Sequence, residues 1–383
     1  MTNSITQGEQ VPALWPHLHQ RGLHITFGWR TFDWTSEARG RAHVHVVIIG
    51  FQHSEAASRA RLYEPSPDDG LALSREVPSL NGYLVAGSEL YPRSRSTPIV
   101  PVPPVSYGSK PADGGHLVLT SGEAREIEKT DPVAAKYIRP LLSCTEFLNG
   151  DDRYCLWLVD ADPVDIGRSP ELRQRLAGVR RFRESSKKTQ TYLAAETPGL
   201  FAEIREPRSD FVFVPIHVSS ERRLIPMGFV RKEANAVVHN SGAFIEDADL
   251  ALFGLLQSEM FTAWQRVVGG RIKSDFRFNN RLVFNTFPFP DLTDKQRDHI
   301  ESEAAAVIAA RADHRASLSD LYRTDGTPAN LVSAHRRLDQ AVDSAFGRRS
   351  APSESERLAI LFARYEDALQ HESPRLQVTM GAS

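Results

Sequence analysis

AHVHVVIIGF, residues 42–51, is the most apolar β-branched run in the 383-residue chain and reads as a buried strand. Working outward, HITFGWRTFDW (24–34) reads as a second strand, rich in aromatics, joined to the first by the polar loop TSEARGR (35–41). Ahead of both, GEQVPALWPHLHQ (8–20) spaces its apolar residues as a helix does. A helix and two strands bury too little to make a core, so this reading expects the chain to begin inside a domain. Downstream, residues 52–100 read as irregular, with the proline-rich PSPDDG (65–70) and YPRSRSTPIVPVPP (91–104) as connections.

From about 100 to 290 the pattern is short strands with turn signals. HLVLT (116–120), RYCLWLV (153–159), FVFVPIHV (211–218), RLIPMGFV (223–230) and RLVFNTF (281–287) are the strand candidates, and helical stretches are expected near 122–129, 169–184 and 246–268. After Pro290 the periodicity turns helical over 294–316, 328–346 and 353–371, with Asp294, Thr327 and Ser353 as expected N-caps and Pro328 in a first turn. The fold class is therefore α+β: a partial sheet, a mixed α/β middle and a helical end.

Composition narrows the function. Hydrophobic residues make up 41% and charged residues 25%, a globular balance, with formal net charge −2. The bulk charge disfavours a nucleic-acid binder, but such binding needs only one basic face. Two cysteines, Cys144 and Cys155, are too few for a disulfide framework or a closed zinc site. No apolar run reaches the length of a membrane span and MTNSITQGEQVPALW lacks the build of a secretory signal, so the expected compartment is the cytoplasm. The chain holds no glycine-rich nucleotide loop, no Asn-Pro-Pro-aromatic tetrapeptide, no GxSxG and no HExxH. DGGH (113–116) reads as a turn, not a phosphate cradle. His43 and His45 share a strand face, and His335, Asp339 and Asp343 share a helix face. A polar or structural role outweighs a metal site for both groups.

Two stretches carry chemistry. In residues 168–188, Arg168, Arg173, Arg175, Arg180, Arg181, Arg183, Lys187 and Lys188 stand against only Glu171 and Glu184, a local charge of +6. Such a stripe suits a phosphate backbone, whose condensed counterions it displaces; a solvated helix face is the alternative. In GGRIKSDFRFNNR (269–281), a single extended strand would point Lys273, Asp275 and Arg277 to one side. A cation can donate to guanine and a carboxylate accept from cytosine, so the Lys273/Asp275 pair matches the edges of one G·C pair; a surface salt bridge is the bland alternative.

Several strings taken together resemble the MmeI-like class of fused restriction–modification enzymes. They are TNSITQGEQV (2–11), RTFDW (30–34), AHVHVVIIGF (42–51), DGGHLVLT (113–120), VRRFRESS (179–186), SSERRLIPMGF (219–229), GRIKSDFRFNN (270–280), NTFPFPD (285–291), SLSDLY (317–322) and AHRRLDQAVD (334–343). The resemblance runs in order over nearly the whole chain. It implies the end of an adenine-N6 methyltransferase domain at residues 1–60, a connecting segment at 61–94, a DNA target recognition domain at 95–290 and a helical C-terminal domain at 291–383.

The resemblance implies base contacts from Lys273, Asp275 and Arg277, with Asn240 and Ser241 as further candidates, since Asn pairs bidentately with adenine. Phosphate contacts are expected from Arg173, Arg180, Arg181, Arg183, Lys187, Lys188, Arg222 and Arg271. The complete family enzyme uses S-adenosylmethionine, but its glycine motif and catalytic tetrapeptide are absent from these residues, so no cofactor and no catalytic residue are expected here. The expected partner is double-stranded DNA, together with an upstream methyltransferase and nuclease portion. Three readings stay open: a recognition part inactive alone, one half of a split methyltransferase, or a non-functional remnant.

Overall fold

The computed structural model describes residues 2–34, 44–53, 59–65, 72–219, 222, 224–272, 275–348 and 351–380. In chain order the elements begin with α1 (Gln10–His19), β1 (Leu23–Trp34), β2 (Val44–His53), β3 (Ala60–Pro65) and β4 (Ala72–Val77). The middle holds β5 (Val105–Tyr107), β6 (Val118–Thr120), α2 (Ser121–Thr130), α3 (Pro132–Ala135), β7 (Ile138–Leu142), α4 (Cys144–Asn149), β8 (Arg153–Leu156), α5 (Pro163–Arg168), α6 (Pro170–Glu184) and α7 (Thr189–Leu193). Then follow β9 (Phe211–Pro215), β10 (His217–Val218), β11 (Gly228–Val230), β12 (Val237–Val238), β13 (Gly242–Glu246), α8 (Leu250–Leu256), α9 (Glu259–Val268), β14 (Arg271–Ile272) and β15 (Asp275–Arg277). Helices α10 (Asp294–Ala312), α11 (Leu318–Leu321), α12 (Ala329–Ala345) and α13 (Glu354–Met380) fill the C-terminal region. The α+β class is as expected. Among the described residues no helix is long and apolar enough to cross a membrane.

The chain forms two compact units. The first comprises residues 1–102, 254–303 and 335–383; the second comprises 103–253 and 304–334. In the first, a sheet of order β2-β1-β3-β4 is antiparallel except for the parallel β1–β3 pair. Two expectations fail here. The run 42–51 is not buried on both faces: Val47 is 1% exposed, but Ile48 is 44% and Phe51 51%. The cause is position, since β2 is the outermost strand of this sheet: Ile48 points away from the side that covers Val47, and Phe51, on the side of Val47, lies toward the exposed end of the strand. The stretch read as irregular contains β3 and β4, whose Leu62 is fully buried.

The core of this unit gathers on Trp264 of α9. The rings of Phe362, Tyr365 and Phe287 lie 5.1, 5.8 and 6.4 Å from it, and its indole N–H donates to Thr286 Oγ at 3.2 Å. RLVFNTF (281–287), expected as a strand, is instead a π-helical turn over Asn280–Phe284, with Asn279 Oδ1 accepting from the Arg281 and Leu282 amides. That cap supplies what apolar alternation does not reveal, a side-chain acceptor for the first free N–H groups. His335, Asp339 and Asp343 are buried; Asp339 accepts the Glu259 N–H at 2.8 Å and Asp343 pairs with Arg357 at 2.7 Å. His43 lies outside the described residues.

The expected caps are corrected at two of three positions. Thr293, not Asp294, caps α10, exchanging bonds with Gln296 in a capping box. Thr327 turns its hydroxyl back to the Arg323 carbonyl, so it does not cap α12. Ser353 caps α13, with Glu356 returning the bond.

The second unit contains two four-stranded sheets, β11-β9-β13-β5 and β12-β7-β8-β6. RLIPMGFV (223–230) contributes only β11, at its end. One core centres on Leu117, Leu119, Cys155, Leu156, Leu172 and Val179; another is built from Phe211, Phe213, Val238 and Phe244. Both cysteines are free and buried, and burial pushes the Cys155 thiol up to about 12.

Candidate nucleic-acid interface

The basic stretch folds as α6 because its apolar residues recur on one face. Leu172 and Val179, seven residues apart, are fully buried. The helix is fixed at both ends. At its start Ser169 accepts the Leu172 N–H at 3.0 Å and donates to Asp131 Oδ2 at 2.5 Å, while Asp131 Oδ1 caps α3 through the Ala134 N–H at 3.0 Å. Burial would raise the Asp131 carboxyl, but the donors from Ser169, Ala134, Glu171 and Val133 outweigh it and hold the group below its ordinary value.

At its end stands Arg183. Expected on the DNA face, it is instead fully buried. Its Nε donates to the Ala112 carbonyl (2.9 Å), Nη1 to Ala194 (2.8 Å) and Thr197 (3.0 Å), and Nη2 to Pro111 (2.9 Å) and Leu200 (2.7 Å). All five guanidinium N–H directions are spent on main-chain oxygens. Burial lowers the guanidinium's pKa, with Asp113 nearby opposing the shift. The signal was present in the spacing: Arg183 lies four residues after Val179 and eleven after Leu172, on the covered face. Arg175 is also occupied, paired with Glu171 (2.6 Å) and Glu123 (3.3 Å).

The other cations of this run, Arg168, Arg173, Arg180, Arg181, Lys187 and Lys188, are exposed. The Arg173 guanidinium donates to the Gly167 carbonyl. Glu184, also exposed, stands among them. A covered helix face pinned at its ends thus presents an outward strip of cations.

Arg222 is half-buried and donates to Ser319 Oγ. It lines a polar cavity of about 560 Å³ with Ser219, Ser319, Asp320, Arg323, Thr324 and Asp325. Arg323, which the sequence reading missed, pairs with Asp325 at 3.3 Å. Only their shared polarity marks these residues in the sequence. Ser220, Glu221 and Arg223 lie outside the described residues. Of the HNSG turn, Asn240 is exposed, whereas Ser241 Oγ accepts the Cys144 N–H at 3.1 Å and bonds His239 Nδ1 at 2.9 Å. Ser241 is therefore engaged in holding the turn.

The other chemical stretch, in the first unit, is not one strand. Ile272 pairs with Asp275 and Arg271 with Phe276, so the chain reverses between β14 and β15. Lys273 lies outside the described residues, as does the Arg271 side chain. Asp275 and Arg277, two apart on β15, share a face and are both exposed. The strand is anchored behind them: Gln265 Nε2 donates to the Arg277 carbonyl at 3.1 Å and Phe278 is fully buried. The antiparallel pairing puts Asp275 and Arg277 on a two-stranded ribbon, an element of the kind that a major groove admits.

Residues 86–291 match the family model for the target recognition domain of MmeI, residues 1–64 that for the MmeI DNA-methyltransferase domain, and residues 292–371 that for the MmeI C-terminal domain. The chain is 33% identical over 366 residues to DNA methyltransferase A of Bacillus subtilis (strain 168), an alignment covering 96% of this chain and 41% of that protein. A solved structure of the Type IIL restriction-modification enzyme MmeI in complex with DNA superposes with a TM-score of 0.81 at 39% identity, over 96% of this chain and 49% of that one. The chain spans less than half the length of either relative.

Two expectations concern the fixing of α6. Arg183→Met should lower stability by about 3 kcal/mol or more in urea unfolding, since each buried carbonyl left without a donor costs about 1–3 kcal/mol. Arg180→Ala should stay within about 0.5 kcal/mol of wild type. Equal effects would show that the buried guanidinium holds nothing. Asp131→Asn should cost about 1 kcal/mol at pH 7: the amide oxygen can keep the α3 cap, but the amide nitrogen puts a donor where Ser169 and the Glu171 N–H donate. Because the native carboxyl's pKa is depressed, its contribution is full above the unfolded value and fades as pH falls below about 4. Unfolding curves of the two proteins should therefore converge in acid.

Proposed function

The chain belongs to the MmeI family, and on that footing we propose that it carries the sequence-recognition step of an adenine-N6 DNA methyltransferase of a restriction–modification system. The observation that carries this reading is the exposed cationic strip of α6. Arg173, Arg180, Arg181, Lys187 and Lys188 hold phosphates of a duplex, and Arg271 is a separate candidate for phosphate contact. Arg183 is removed from this set because its donors are spent, and Arg222 is better used in holding Ser319. Asp275 and Arg277 of β15 read base edges, and Lys273 and Asn240 are further candidates for base contact. A carboxylate accepts from cytosine N4 and a cation donates to guanine O6 and N7, so the ribbon specifies at least one G·C pair.

The family's cofactor, S-adenosylmethionine, does not fit the residues present. Of the described glycines before residue 64, Gly28 and Gly50 lie in mid-strand, where an added Cβ would strike Leu84 and the Phe27 ring, and Gly22 follows α1. Gly8 packs on Gly270. None opens a helix behind a strand, the arrangement that cradles a nucleotide. Adenine must also be drawn out of the stack and clamped by polar groups before transfer. We infer that residues 1–383 do not transfer a methyl group alone, and that transfer requires further polypeptide, in the same chain or in a partner.

The reading sorts side chains into two kinds. In competition binding across salt, Arg180→Ala should weaken every duplex alike and flatten the dependence of log K on log salt by about one. Asp275→Ala should leave that slope unchanged and relax discrimination at one base pair by about 1–3 kcal/mol. Binding indifferent to both salt and sequence would end the proposal. With labelled S-adenosylmethionine and duplex DNA, the 383-residue chain should incorporate nothing above background; incorporation by the chain alone would contradict the inferred division of labour.

A further inference from the structure

The segment after α6 shows an unusual combination. The chain returns through α7 and a single 3₁₀ turn over Ala194–Glu196, and Arg183 grips that return at the Ala194, Thr197 and Leu200 carbonyls. Ala195 is seated in the interior. Yet the two residues just before this anchor turn outward, Tyr192 at 52% and Leu193 at 53% exposure. Phe182, on the last turn of α6, is also open, with Gly114 packed against its ring.

An isolated apolar side chain on a surface needs no explanation. Here two consecutive ones stand on a braced segment, and Lys187 and Lys188 immediately precede it. A loose loop could fold such residues inward, but Arg183 fixes the backbone that carries them. A partner fitting this surface must offer anions beside flat apolar groups at close spacing. An acidic protein patch satisfies the cations and leaves the tyrosine in water. A nucleic acid satisfies both, since phosphates flank sugars whose apolar faces an aromatic or aliphatic side chain can cover.

We propose that Tyr192 and Leu193 form an apolar contact to duplex DNA, packed on sugar faces while Arg180, Arg181, Lys187 and Lys188 hold the adjoining phosphates. The proposal rests on the DNA-binding reading of α6 and adds a non-electrostatic element that sets how closely this face seats on the duplex. Tyr192 is then a positioning residue whose contribution is insensitive to salt.

The test is anisotropy binding of the full 383-residue chain to a fluorescent random-sequence duplex pool over a range of salt, for wild type, Tyr192→Ala, Tyr192→Phe and Arg180→Ala. Thermal unfolding of each protein checks that the exposed substitutions leave the fold intact. Tyr192→Ala should weaken binding about fivefold, roughly what covering part of one apolar ring contributes, with the salt slope unchanged. Tyr192→Phe should restore it. If Tyr192→Ala binds like wild type while Arg180→Ala weakens binding and flattens the slope, the cationic face holds DNA and the apolar contact is wrong. If neither substitution matters, the reading of α6 itself fails. Loss in Tyr192→Ala of binding to anionic phospholipid vesicles, with duplex binding intact, would assign the pair to a membrane surface and overturn the proposal.

Discussion

The basic face of this protein depends on one cation that is not part of it. Arg183 sits inside the second unit and donates to five main-chain carbonyls drawn from residues 111–112 and 194–200. Burying a guanidinium is costly, and the cost is offset only when its donors are all met. Here they are met by carbonyls of two irregular segments, three of which (Pro111, Ala194 and Thr197) also accept a main-chain N–H. The arginine thereby does for an irregular return what a backbone ladder does for a sheet. With Ser169 and Asp131 at the other end, α6 becomes a fixed rod, and its outward cations gain a defined position.

The β14–β15 ribbon in the first unit follows the same logic at smaller scale. Exposed side chains can discriminate only if the backbone beneath them is held, because a loose contact adapts to the wrong partner. Phe278 is buried directly after Arg277, and Gln265 of α9 holds the Arg277 carbonyl. The Trp264 cluster in turn fixes α9 against α13. The exposed charges of Asp275 and Arg277 are thus followed directly by a buried ring, that of Phe278.

Much of this was legible in the sequence, and the failures have physical causes. Helix positions followed from apolar period over α2 and α6, where one face is covered and the other is not, and β9 followed from its continuous apolar run, which is buried on both faces. The run 42–51 gave its type correctly but not its burial, since hydropathy does not distinguish an outermost strand from a central one. RLVFNTF alternates like a strand, and only the Asn279 cap, a local side-chain bond, turns it into a π-helical turn. Nothing in the spacing of GGRIKSDFRFNNR marks the antiparallel pairing of Ile272 with Asp275, which divides the stretch into β14 and β15. Charge alone places Arg183 on the outer face, but its helical phase, shared with Val179 and Leu172, points inward. Charge counts a residue's chemistry, whereas phase decides which solvent it meets. The cavity around Arg222 and Arg323 joins segments about a hundred residues apart, a meeting that no local pattern records.

Recognition of a particular duplex sequence by these 383 residues is the claim to which the fixed helix and the anchored ribbon both lead. Its most direct measurement is sequencing of the duplexes that the purified chain retains from a randomised pool at physiological salt. The account predicts enrichment of one short motif containing a G·C pair, and loss of preference at a single position when the ribbon is altered. A retained pool with the same base composition at every position as the input would contradict it.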